Sequence, residues 1–383
     1  MVKKIYYWSP FLSNIATSRA VLNSAISIKK FSKNKYEPYL INVIGEWDSY
    51  KEEIEKNKIN LIDLNISNNF KVKKINGFLL SRIFYIKIFL LAFNPLKKLL
   101  KKTPPDILIL HLITSLPLLL NFIFNFNMSI ILRISGLPKL NLIRMAIWKL
   151  TLKKVFCITS PTEATLNFIK NLKLNENTFL LRDPIISVNE ISKKIQETKN
   201  DKNKNIKKNY VSIGRLTKQK NFIFLIKCFK KIIDKDNSVK LYILGEGEDK
   251  KKLENLITNN KLDDNIFIEG YKNNIYKYLK RAEAFILSSL WEDPGFVLVE
   301  ASYSNTTVIS SNCKNGPIEI LEGGKNGFLF ESNSEKSFLL KFDEFNKTDE
   351  KNIKIIKLRA KKMSKNYSLF NHYVSLIKII NLK

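Results

Sequence analysis

The sequence predicts an α/β protein of two Rossmann-like domains, and three observations predict it. At 383 residues the chain exceeds what one ordinary core holds, so it divides into two domains each large enough to fold alone. Short apolar runs alternate with helical patterns in a β-α-β rhythm along both halves. Finally, Ala284 to Leu287 is an apolar run closed by Ser288 and Ser289, followed by Glu292, Asp293, Pro294 and Gly295 and then a periodic stretch from Phe296 to Tyr303. That order is a buried parallel strand, a turn and a helix, with the turn at the carboxyl edge where substrates bind. A hydrophobic fraction of 45% excludes a disordered chain even though 26% of residues are charged.

Taken in order, Lys3 to Trp8 reads as the first strand and lacks the apolar core and cleavage site of a signal peptide. A loop through Ser13, Asn14 and Ala16 leads into a helical pattern carried by Val21, Leu22, Ala25, Ile26 and Ile28. Tyr39 to Ile44 and Ile59 to Leu64 are further strands, with a charged helix between them. Phe70 to Lys102 is apolar and basic at once. Arg82 and Lys87 interrupt it, and a bilayer span needs about 20 predominantly apolar residues. It is therefore either an interfacial helix or an ordinary helix packed on the sheet with a solvated lysine face.

Pro104, Pro105 and Asp106 make a turn before the strand Ile107 to Leu110, which ends at His111. After the next strand come Arg133, Ser135, Gly136, Pro138 and Lys139: a cation, a hydroxyl and a flexible turn. These suit an acceptor phosphate or sugar, or simply connect two elements. Ile191 to Asn209 is rich in Lys, Asn and Asp and reads as a surface connection. The expected division is 1–190, a linker at 191–208, and 209–365.

Three sets of residues carry chemistry. A helix N-terminus at a sheet edge presents free N–H groups to a phosphate or to sugar hydroxyls. Glu292 and Glu300 lie about two helical turns apart, so they reach different parts of one elongated ligand, or else are plain helix charges. Arg215 and Lys220 follow a strand and can grip the two phosphates of a nucleotide diphosphate. Gly245 and Gly247 mark a tight turn after the following strand; without a third glycine they are not a full phosphate loop. Asp234 and Asp236 imitate a metal-binding acid pair but end a helix instead of leaving a strand.

The stretch Glu292-Asp-Pro-Gly-Phe-Val-Leu-Val-Glu300-Ala resembles the two-glutamate signature of the retaining glycosyltransferases of family 4, which have the GT-B fold. Further matches follow the family's order: Gly214-Arg215-Leu216 with Lys220-Asn221, Leu241 to Gly247, Ile266 to Tyr271, Gly316 to Leu321, and Asn326-Gly327. The resemblance implies two Rossmann-like domains whose parallel sheets face each other across a cleft, with a C-terminal helix at about 366–383 crossing back to the first. It also implies roles for individual residues. Arg215 and Lys220 would neutralise the leaving diphosphate and Glu300 would hold the ribose. Glu292, with the Gly295, Phe296 and Val297 backbone, would hold the sugar, while Gly245, Gly270 and Tyr271 would lie near the nucleotide. His111 matches a histidine beside the donor sugar, and Ile109 stands where many members have an earlier one. Asn14, Arg133, Ser135 and Gly136 fall on the acceptor side, although the loop at Asn14 lacks the family's usual glycines. The donor implied is a nucleotide diphosphate sugar, with no cofactor and no metal.

Cys157, Cys228 and Cys313 are widely spaced and odd in number, so neither a disulfide framework nor a zinc site is expected, and a reducing cytoplasm is the simplest setting. The net charge of +30 comes mostly from Lys. It is partly compositional bias in a chain also rich in Asn and Ile, and it also draws the protein to an anionic membrane surface. The expected acceptor is thus a glycan or a lipid-linked glycan, in cell-surface polysaccharide or lipopolysaccharide synthesis. The competing readings are a basic nucleic-acid-binding protein on a Rossmann scaffold, for which no motif is present, and a transferase with a soluble acceptor.

Overall fold

The computed structural model describes residues 2–11, 16–66, 78–138, 140–197 and 208–382. They form two compact units, residues 1–185 with 369–383, and residues 186–368. The first unit runs β1 (Lys3–Trp8), α1 (Ala16–Phe31), β2 (Tyr36–Asn42), α2 (Lys51–Lys56), β3 (Asn60–Asp63), α3 (Phe78–Lys102), β4 (Ile107–Leu110), α4 (Ser115–Phe124), β5 (Ser129–Arg133), α5 (Leu142–Thr151), β6 (Cys157–Ser160), α6 (Glu163–Asn171) and β7 (Thr178–Leu180). Its seven strands pair in parallel in the order β3-β2-β1-β4-β5-β6-β7. Every residue of β4 and β5 is buried, as a sheet covered on both faces requires.

The second unit opens with α7 (Val188–Gln196) and continues through β8 (Asn209–Ile213), α8 (Phe222–Ile233), β9 (Lys240–Leu244), α9 (Lys250–Asn259), β10 (Ile266–Gly270), α10 (Tyr276–Arg281), β11 (Ala284–Leu287), α11 (Phe296–Tyr303), β12 (Thr307–Ser311), α12 (Pro317–Ile320), β13 (Phe328–Phe330), α13 (Glu335–Lys347) and α14 (Glu350–Ser364). Its six parallel strands take the order β10-β9-β8-β11-β12-β13. In both units the order reverses between the first strand and the fourth. Open α/β sheets bind ligands at the carboxyl ends of the strands at that switch point.

Helix α15 (Leu369–Ile380) completes the first unit by packing on α1. Leu369, Leu376, Ile379 and Ile380 are buried in the cluster that also holds Val21, Leu22, Ala25 and Leu40. His372 fixes the register: one ring nitrogen lies 2.8 Å from Ser24 Oγ and the other 2.8 Å from the Arg182 carbonyl. Ser24 Oγ in turn meets Tyr7 Oη at 2.9 Å. Burial lowers the His372 imidazole to about 4, against the Arg182 carbonyl bond that raises it, with Arg133 lowering it further.

One expectation differs from this arrangement. The units change over at Ile185/Ile186, upstream of the 191–208 segment. The reason is α7, whose Ile191 is buried and whose Lys194 carbonyl accepts from Asn274 Nδ2 at 3.0 Å, so the first part of the charged stretch is built into the second unit. Residues 198–207 lie outside the described residues. Helix α3 also resolves into two faces. Ile88, Ala92, Leu96 and Leu100, spaced by four, are buried against the sheet, whereas Ile83, Tyr85, Ile86 and Leu90 remain exposed. Among the described residues no helix is long and apolar enough to cross a membrane. All three cysteines are buried and unpaired.

Candidate active site

The second unit's switch point lies between β8 and β11, and the residues that follow these strands are laced together. Leu290 N–H donates to the Gln219 carbonyl at 2.8 Å, and Gln219 Nε2 donates to the Trp291 carbonyl at 2.9 Å. Ser288 Oγ donates to the Lys220 carbonyl at 2.7 Å. This lacing sets Lys220 Nζ 2.5 Å from Glu292 Oε1, and both side chains are largely buried. The same carboxylate oxygen accepts from Ser289 Oγ at 2.5 Å. The lysine stem lies over Gly214, where a Cβ would come within 3.1 Å of three of its carbons. Arg215 stands next to it, exposed, and its guanidinium makes no ion pair among the described residues.

The neighbouring loops close on this point because their glycines allow it. Gly245 has φ +147°, and a Cβ there would lie 1.9 Å from the Gly214 carbonyl oxygen. Gly245 N–H donates to the Gly270 carbonyl at 2.9 Å, and Leu216 N–H to the Glu246 carbonyl at 2.9 Å. Tyr271, just beyond, is 74% exposed. Gly295 caps α11 in the left-handed region at φ +97°, so the chain turns abruptly into the helix. The first N–H groups of α11, on Phe296 and Val297, have no partner within the helix and carry the positive end of its dipole. Glu300, on the same helix, accepts from Tyr276 Oη at 3.4 Å. Burial, then the Glu300 carboxylate, raises the Tyr276 phenol above its usual range, so it stays a donor.

Thus the second unit gathers Arg215, Lys220, Gly245, Gly270, Tyr271, Glu292, Gly295, Phe296, Val297 and Glu300 on one sheet edge. The first unit carries the others. His111 follows β4 at that unit's own switch point, and it lines a pocket of about 450 Å³ together with Arg133, Ser135 and the start of α5. Burial, then Arg133, then His372 hold the His111 imidazole well below its ordinary value, so it is neutral. Arg133 is buried and forms an ion pair with Asp183, its Nε donating to Oδ1 at 3.0 Å. Burial pushes the Asp183 carboxyl up while Arg133 pulls it down. Gly136 is left-handed at φ +68°, directing the chain from β5 toward α5. Asn14 and Lys139 lie outside the described residues. Asp234 and Asp236 follow the end of α8 and pair with Lys230 and Lys208, and no group of three or more metal-ligating side chains occurs among the described residues.

Sequence reasoning missed three participants. Ser289 closes the apolar run of β11 and was read only as a strand end. Tyr276 and Asp183 carry no local signal: one reaches Glu300 across 24 residues and the other Arg133 across 50.

A parallel sheet in this order is the doubly wound α/β architecture, whose ligands bind at the switch point where these cations and carboxylates lie. Residues 192–363 match the family described as Glycosyl transferases group 1. An uncharacterised glycosyltransferase of Methanocaldococcus jannaschii is 31% identical over 313 residues, covering 77% of this chain and 73% of that protein. The chain belongs to the group 1 glycosyltransferases and is an enzyme of the GT-B fold. The Campylobacter jejuni enzyme N-acetylgalactosamine-N,N'-diacetylbacillosaminyl-diphospho-undecaprenol 4-alpha-N-acetylgalactosaminyltransferase is 34% identical over 127 residues, 33% of this chain and 34% of that one. In three dimensions, HepE of Anabaena, crystallised with UDP and glucose, superposes with a TM-score of 0.70 at 15% identity over the whole of both chains.

Proposed function

We propose that this glycosyltransferase moves a sugar from a nucleotide diphosphate sugar to a glycan or lipid-linked acceptor, with retention at the anomeric carbon, in cell-surface polysaccharide or lipopolysaccharide synthesis. The observation that carries the donor half is the Lys220–Glu292 pair just before α11, beside the exposed Arg215. Arg215, Lys220 and the helix N-terminus supply positive charge where the diphosphate departs, without a metal. Glu292 is then released to the sugar hydroxyls, joined by the Gly295 and Phe296 backbone. Glu300 holds the ribose, with Tyr276 keeping its carboxylate oriented, and Tyr271 offers an exposed ring for the base. The acceptor half falls to the first unit, through Arg133, Ser135 and Gly136. The undecaprenol-linked substrate named for the Campylobacter relative supports the lipid-linked choice.

Binding of UDP, measured by calorimetry on the wild type and on Arg215→Ala and Glu300→Ala, tests the donor site. Both variants are expected to weaken it, and unchanged affinity in both would sink the assignment. Salt-dependent RNA or DNA binding with no nucleotide binding would favour the nucleic-acid alternative.

We place the enzyme in the cytoplasm, peripheral at the membrane face. Helix α3 supports this, with exposed Ile83, Tyr85, Ile86 and Leu90 toward one end and Lys97, Lys98, Lys101 and Lys102 at the other, along about 37 Å of helix. Each Lys near an anionic surface contributes about 1 kcal/mol. Flotation with anionic vesicles should weaken in high salt and on changing those four lysines to Gln. Association indifferent to both would remove the membrane from the scheme.

A further inference from the structure

The turn that carries Glu292 is held from the side by the loop that follows β12. Glu292 N–H donates to the Lys314 carbonyl at 3.3 Å, and Trp291 and Lys314 pair as an isolated parallel bridge. Gly316 lies so close that a Cβ on it would come within 1.9 Å of the Pro294 carbonyl oxygen. Between them, Asn315 Nδ2 donates to Asp293 Oδ1 at 3.1 Å. The first two ties join backbone to backbone, and the third needs only the absence of a side chain. The amide of Asn315 is therefore the tie that a side chain makes.

Asn315 meets two demands at once. Its φ of +69° lies in the left-handed region, which Gly, Asn and Asp enter most readily. Its acceptor is a carboxylate, so its side chain must donate, and of those three residues only asparagine can. At 9% exposure the bond is also shielded from water.

The bond fixes a short path. Residues 292–295 run from the Glu292 carboxylate, held by Lys220 and Ser289, to Gly295, where the chain turns into α11. A shift at Asp293 therefore changes where Glu292 stands relative to the first N–H groups of that helix, and displacements of about 1 Å are enough to spoil a bound geometry. The nucleotide's residues are anchored elsewhere. Arg215 follows β8, Tyr271 follows β10, and Glu300 lies in α11 among the buried Leu298, Val299 and Ala301.

We propose that Asn315 is a positioning residue for the donor sugar: acting through Asp293, it sets the Glu292 carboxylate and the start of α11 at the spacing the sugar hydroxyls require. The assignment rests on the roles proposed above for Glu292 and Glu300.

The test is calorimetric titration of the full-length protein with UDP-, GDP- and ADP-hexoses and with UDP, GDP and ADP alone, so that sugar and nucleotide are read separately. Asn315→Asp sets two carboxylates face to face; it should weaken the best-bound sugar nucleotide roughly tenfold and the matching nucleoside diphosphate less than about twofold. Adding Asp293→Asn reverses donor and acceptor across the pair and should bring the sugar nucleotide back to within about threefold of the wild type. That rescue, with the nucleotide affinity retained throughout, separates positioning from a general loss of structure. Equal losses for sugar nucleotide and nucleotide, no loss, or a loss that the second change does not reverse would each overturn the proposal. Glu292→Ala distinguishes the two levels of the reading. If it weakens the sugar nucleotide selectively while Asn315→Asp does not, this role alone fails; if it has no effect, or if the wild type binds none of the panel, the donor site falls and this role with it.

Discussion

The two sheet edges share one strand order and handle charge in opposite ways. At the second unit's switch point the two carboxylates have partners within the unit: Glu292 in Lys220 and Ser289, Glu300 in Tyr276. In the first unit Arg133 pairs with Asp183, both buried, while His111 is neutral and, among the described residues, its ring nitrogens have no hydrogen-bond partner. The lysine of the first pair keeps 14% of its side chain accessible, whereas Arg133 and Asp183 keep 4% and 3%, and a fully buried pair cannot be opened without stranding a charge.

The contrast breaks most visibly at its foundation. Asp183→Ala leaves Arg133 as an uncompensated buried charge and should destabilise the protein by about 3–5 kcal/mol, read from the urea midpoint. A cost no greater than that of an ordinary surface change would show that the pair is not structural. Lys220→Ala should behave the other way, slowing turnover by about 2–4 kcal/mol of barrier, with a smaller change in unfolding. Full turnover in that variant would leave the second edge without its proposed role.

Acid sharpens the comparison further, since the first unit holds both of the chain's histidines, buried and neutral. His372 has an ordinary value of 6.5 and sits at about 4 in the folded protein. Between those values the unfolded chain binds the extra proton, so the stabilisation is complete above about pH 6.5 and is lost as the pH falls through 4. The loss is up to about 3 kcal/mol. Urea midpoints at pH 7 and pH 4.5 should fall less in His372→Asn than in the wild type, and parallel falls would show that the ring is not held neutral. The smallest effect expected is that of Tyr276→Phe, about 1 kcal/mol in nucleotide affinity through a less well oriented Glu300. Unaltered UDP affinity would reduce the tyrosine to packing.

The second edge was largely legible in the sequence because its residues lie within a few positions of strand ends, and a strand, turn and helix order brings Arg215, Lys220, Glu292 and Glu300 to one side automatically. The first edge was less so. His111 and Arg133 were visible as residues after strands, but Asp183, which decides whether Arg133 is free to bind an anion, lies 50 residues from it and follows no pattern. The charged stretch after Ile191 misled for a related reason: Ile191 alone is enough to anchor α7 when a partner, Asn274, waits in a later loop. For α3, composition could not separate the two sides of one helix, since the basic and apolar residues are mixed in sequence and sort themselves only against the sheet.

The return of α15 to the first unit has a consequence for how the molecule is made. The chain leaves the ribosome from its amino end, so residues 186–368 are complete and free to collapse while the first unit still lacks Leu369, Leu376, Ile379 and Ile380, each buried in its core. Hydrophobic burial of such side chains contributes about 1.5–3 kcal/mol apiece. The unit begun first is therefore closed last, and until the final helix arrives the apolar face of α1 is open to whatever else the cell presents.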